Sequence, residues 1–144
     1  MNPRALTRTT LVTGSTAAER ESRIAQYIVQ RSGQRNDESR DQSIDPSGDP
    51  HSDTRRSSAV ILEGLAGGHD LPAALTPGPH LHIVRIAPGC VCCTGNLTLR
   101  VTLNRLLRTH PAYLYIGLAS TEHLPAIQAF LLAPEYASWL TLEV

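Results

Sequence analysis

Short apolar runs rich in β-branched residues punctuate the chain at 9–13 (TTLVT), 59–62 (AVIL), 80–86 (HLHIVRI) and 113–118 (YLYIGL), with a last one at 139–144. Each is strand-length, and glycine or proline stands near most of their ends, the pattern of strands in a buried sheet. Between them the apolar positions recur at helical spacing. Gly14 closes the first run, and Thr16 with Glu19 has the spacing of a capping box, which predicts a helix through about Gln30 with Ile24 and Ile28 on a shared face, Ala17 and Tyr27 nearby. A second helix is predicted over 96–108, carrying Leu99, Leu103, Leu106 and Leu107 on one side and stopping before Pro111. Ser120 or Thr121 caps a third, with Ile127, Phe130 and Leu131 facing the core, ending near Pro134. Strands alternating with helices imply crossover connections, hence an α/β, three-layer domain with a mostly parallel sheet.

One stretch breaks the alternation. From 32 to 58 the chain turns to Ser, Asp, Arg, Gln, Gly and Pro, with Ile44 its one large aliphatic residue. Such a segment buries too little apolar surface to offset its ordering entropy, so a disordered insertion in a single domain over 1–144 is expected. Residues 63–70 are expected to form a flexible loop and 71–79 a Pro-rich connection.

Composition narrows the function classes. With 144 residues the chain is long enough for one core, and its formal net charge of zero recommends neither nucleic acid nor an acidic membrane as partner. No apolar run approaches the roughly 18 residues of a membrane span, and the first residues carry no secretory signal pattern. A cytoplasmic protein is expected, one whose thiols stay reduced. All 13 basic residues are Arg, which excludes any mechanism that needs a lysine.

The candidate chemistry is concentrated at Gly89-Cys90-Val91-Cys92-Cys93-Thr94-Gly95-Asn96, which holds all 3 cysteines, after a predicted strand and before a predicted helix. A turn of this kind can aim Cys90, Cys92 and Cys93 at one thiophilic ion, and a helix N-terminus lowers thiol pKa. Inert burial and redox chemistry are the alternatives. Zinc takes four ligands and the cluster offers at most three, fewer if Cys92 and Cys93 point apart, leaving an open site for a water, a His or a second chain. His123 is a candidate fourth ligand because it belongs to the same sheet edge. His80 and His82, at alternate strand positions, read first as half-exposed strand residues, and His69 with Asp70 as part of a polar loop.

The GCxCC element with its following helix, preceded by strand, Gly loop and helix and followed by strand, Ser and helix, resembles the nucleotide-binding domain of the CobW-type metallochaperone GTPases. The resemblance runs from Thr9 to the C-terminus, leaving out the insertion, and implies a P-loop NTPase-like fold. It also implies a Zn2+ (or Co2+) site at Cys90, Cys92 and Cys93 coupled to a nucleotide site at Gly14, Ser15, Thr16, Ala17, Ala18 and Arg20, where the family binds GTP and Mg2+.

Against the family's P-loop, only the first glycine is kept. Glu19 stands for the second, Arg20 for the lysine and Glu21 for the Mg-binding hydroxyl, and Gly117-Leu118-Ala119-Ser120 lacks the family's acid. Two carboxylates where a polyphosphate sits imply that the fold is kept and autonomous GTPase activity lost. The chain also ends before the family's base-recognition motif and second domain. Two alternatives stand beside a metal-homeostasis role. One is a working GTPase with Arg20 in place of lysine. The other is a pseudo-GTPase scaffold that pairs with a full-length relative through its sheet edge; a metal-dependent client protein and a homo-oligomer are the further partners expected.

Overall fold

The computed structural model describes residues 5–38, 57–64, 70–87 and 96–143. Five strands form one sheet: β1 (Thr7–Thr13), β2 (Ser58–Glu63), β3 (Leu81–Ile86), β4 (Tyr113–Leu118) and β5 (Leu140–Glu143). Their order across the sheet is β3-β2-β4-β1-β5, and every neighbouring pair is parallel. The helices are α1 (Ala17–Glu38), α2 (Asn96–Leu107) and α3 (Leu124–Leu131), with short 3-10 turns at Ala73–Leu75, Thr121–His123 and Pro134–Tyr136. The expected α/β class therefore holds.

Parallel strands need crossovers, and the crossovers cover both faces. Side chains alternate accordingly along β2. Val60 and Leu62 join Val12, Ile24 and Tyr115 under α1, whereas Ala59 and Ile61 join Leu99, Leu103, Ile116 and Ile127 under α2 and α3. Covered on both sides, the central strands read as unbroken apolar runs, which is why 59–62 and 113–118 were legible. The leucines expected on one side of α2 are all buried, each side chain contributing roughly 1.5–3 kcal/mol. Gly117 lets α1 settle closely on the sheet: a Cβ there would stand 3.2 Å from Leu62 Cδ2 and 3.5 Å from Ile24 Cδ1.

Four expectations shift. The first helix does not stop near Gln30: α1 continues to Glu38, into the stretch expected to be disordered, and β2 begins at Ser58. Residues 39–56 lie outside the described residues. His80 does not share a strand with His82, because β3 opens at Leu81 behind a turn in which Leu81 N donates to Gly78 O at 3.2 Å. Both histidines are exposed. The Pro-rich connection contributes to the core after all, since Leu75 of its 3-10 turn is fully buried against the α1 face. Phe130 is half-buried where burial was expected, and no helix among the described residues is long and apolar enough to cross a membrane.

Candidate functional site

In a parallel sheet ligands are taken at the C-terminal ends of the strands, where neighbouring strands send their connections to opposite faces. β1 leads to α1 on one face while β4, beside it, leads to α3 on the other, so the crevice at Gly14 and Ala119 is such a switch point. Four strand ends meet along this edge: Thr13, Glu63, Ile86 and Leu118.

The turn after β1 is built around its own carboxylate. Thr16 caps α1, its Oγ1 accepting from Glu19 N at 3.1 Å while its carbonyl accepts from Arg20 N at 3.2 Å. Glu19 reaches back, and Oε2 accepts from both Ser15 N (3.0 Å) and Ser15 Oγ (2.8 Å). Its Oε1 pairs with Arg23 at 2.7 Å, and a second nitrogen of Arg23 donates to Thr13 O at 2.8 Å. The Ser15 hydroxyl bond, then the Ser15 N–H, then the charges of Arg23 and Arg20 hold the Glu19 carboxyl below its ordinary pKa. A helix N-terminus is an anion site, and here the anion belongs to the chain.

Of the residues singled out for nucleotide contact, Ser15, Thr16 and Ala18 are exposed and Gly14 and Ala17 are half-buried. Arg20 is only 7% exposed and folds back so that Nη1 donates to Gly14 O at 2.9 Å. Its stem lies so near Gly14 that a Cβ there would meet Arg20 Cγ at 3.1 Å and Glu19 carbons at 3.3 Å. The glycine thus admits the two side chains that fill the turn. A polyphosphate arriving here meets the Glu19 carboxylate on the helix end and no lysine, so the residues present do not fit GTP with Mg2+.

Glu21, at the position of the family's Mg-binding hydroxyl, is 1% exposed and accepts from Arg85 of β3 at 3.0 Å. Glu63 is not part of a loop. It ends β2, is 5% exposed, and its Oε2 accepts from Ala119 N at 2.9 Å, bridging the exits of β2 and β4. The sequence carried a signal for Glu21, which stands three and four positions before the core residues Ile24 and Ala25. It carried none for Glu63. Ser120 caps the 3-10 turn Thr121–His123 rather than the third helix expected of it, its Oγ accepting from Glu122 N at 3.2 Å, and α3 starts behind His123 with no side-chain cap.

Cys90, Cys92 and Cys93 lie outside the described residues, in the segment that joins the end of β3 to the start of α2. His69 also lies outside them, while Asp70 is exposed. His123 stands in the 3-10 turn after β4, half-buried, on the same sheet edge as the exit of β3. Among the described residues no group of three or more His, Cys, Asp and Glu side chains is placed to hold a metal ion. Compared with known protein families, with curated proteins and with solved structures, the chain matches none.

Proposed function

We propose that the chain is a metal-handling protein related to the CobW-type metallochaperones, in which Cys90, Cys92 and Cys93 take Zn2+ or Co2+ and the nucleotide half has lost independent GTPase activity. The carrying observation is a contrast between two helix ends on one sheet edge. α1 neutralises its N-terminus with Glu19, whereas α2, which directly follows the cysteines in the chain, has no acidic residue in its first turn. A helix N-terminus with no acidic residue in its first turn favours thiolate over thiol, and thiolate is the form that binds metal.

The residues have separate tasks in this scheme. The thiolates supply the soft ligands, and a bound ion would supply Lewis-acid or carrier chemistry. Glu19 excludes phosphate from α1, and Glu21 with Arg85 fixes α1 against the strand that leads to the cysteines. The fourth ligand comes from His123, water or a client.

Titration of the reduced protein with Co2+ tests the proposal. Thiolate ligation gives a near-ultraviolet charge-transfer band, and a Cys92→Ser, Cys93→Ser variant loses it. Fully reduced protein that takes up the ion with no such band would exclude the proposed ligands.

A further inference from the structure

At the opposite end of the sheet, the last turn of α2 and the chain entering β5 border a half-open cavity of about 150 Å³ lined by Asn104, Leu107, Arg108, Glu135, Tyr136 and Trp139. Drug-sized ligands occupy pockets of roughly 300–1,000 Å³, so only a compact molecule fits this one. The walls are held by backbone. Trp139 N donates to Tyr136 O at 2.9 Å and Thr7 N donates to Trp139 O at 2.9 Å, which ties the backbone of Trp139 to the first residue of β1. His110, in the left-handed conformation with φ of 51° and its N–H on Leu107 O at 3.0 Å, stacks on the indole at 5.5 Å and 10°. Even so, Trp139 remains 38% exposed, as the one tryptophan of the chain.

The polar groups of the lining differ in sign and in occupation. Arg108 has no ion-pair partner among the described residues, and the Asn104 side chain has no hydrogen-bond partner among them. Glu135 faces Arg100 at 3.5 Å, a loose contact between half-exposed groups that leaves the carboxylate able to accept a second cation. The cavity thus offers a guanidinium and an amide for a carboxylate, a carboxylate for an ammonium, and the exposed face of the Trp139 indole for an apolar body.

We infer that this cavity is a binding site for a free α-amino acid with a compact apolar side chain. Its carboxylate pairs with Arg108 and Asn104, its ammonium with Glu135, and its side chain lies against the Trp139 indole. The site does not involve the cysteines, so it stands or falls apart from the metal-handling proposal.

Trp139 is the natural reporter, since all tryptophan fluorescence of the protein comes from this wall. Titration of the full chain with L-leucine is expected to give a saturable change in that fluorescence. Arg108→Gln and Glu135→Gln should each weaken the response about tenfold or more, as loss of a charge-assisted hydrogen bond does, with melting temperatures unchanged because both side chains are exposed. N-acetyl-leucine, which lacks the ammonium, should bind about tenfold less tightly to the unaltered protein and equally to Glu135→Gln. No saturable change with L-leucine overturns the inference. So does an affinity that Arg108→Gln leaves untouched, or one that acetylation leaves untouched.

Discussion

Glu19 carries more of the chemistry of the candidate site than any other described side chain, and its ionisation can be followed. Its pKa is lowered in the folded protein, chiefly by Ser15, so the sign is that of a stabilising carboxylate: the contribution is complete above the ordinary glutamate pKa and is lost as pH falls through the lowered one. Glu19→Gln should therefore flatten the acid limb of a stability-versus-pH curve. The same variant removes the charge that repels anions, so phosphate should protect α1 from hydrogen exchange in the variant and not in the parent; equal protection in both would show that Glu19 does not guard the helix end. Tyr136 gives an independent residue-scale test. Its hydroxyl is buried with no hydrogen-bond partner among the described residues, and burial pushes its pKa up. An unsatisfied buried hydroxyl costs about 1–3 kcal/mol, so Tyr136→Phe should leave stability unchanged or raise it by up to that amount. A clear loss in urea denaturation would mean that the hydroxyl has a partner.

Between elements, the contact most exposed to test is the one that joins α1 to the edge strand β3. Glu21 is buried while Arg85 is 28% exposed, so the two partners are not equivalent. Arg85→Met takes a guanidinium away from a buried carboxylate and should cost up to about 3 kcal/mol, whereas Glu21→Gln leaves an arginine that water can reach and should cost less. The double variant should cost less than the sum of the two, because both single changes break one interaction; additivity would remove the pair as a link between α1 and β3. This pair also marks the limit of what the sequence discloses. The central strands and the leucine face of α2 could be read directly, because apolar spacing is local and each element is covered where the spacing says. Glu21 and Arg85 are 64 positions apart, and no local pattern joins them. The continuation of α1 to Glu38 was invisible for another reason: once a helix is nucleated by a packed face such as Ile24 and Ala25, it propagates at little cost through residues whose sequence carries no apolar spacing. Of the candidate site, the capping box at Thr16 was legible, whereas the return of Glu19 to Ser15 was not, because a carboxylate opposite a helix end reads from sequence as an absence of phosphate chemistry rather than as a substitute for its anion.

Across the whole molecule, one sheet edge gathers the Gly14 turn, the Glu63 to Ala119 bridge and the exit of β3 toward the cysteines. If this edge serves metal rather than nucleotide, the two ligands must differ in how they shift unfolding. A ligand that binds only the folded state stabilises it by about 2.7 kcal/mol at a free concentration 100 times its dissociation constant, an increase of several degrees in Tm for a chain of this length. Mg2+ with GTP is expected to give no shift, since Glu19 already occupies the helix end. Zn2+ is the more informative case, because Cys90, Cys92 and Cys93 are neighbours in sequence and an unfolded chain could also chelate through them. Thiols acting by themselves would bind both states and leave Tm nearly unmoved. A Zn2+ shift of several degrees, abolished by Cys92→Ser with Cys93→Ser and retained in Glu19→Gln, would therefore measure what the fold adds: the N-terminus of α2 and a further ligand from the same edge. Replacing His123 with Ala then separates the two contributions, as a shift that survives the substitution leaves α2 and the thiols as the source. A Tm that rises with Mg2+ and GTP as much as with Zn2+ would return the Gly14 turn to nucleotide binding and reject the division of labour between the two helix ends.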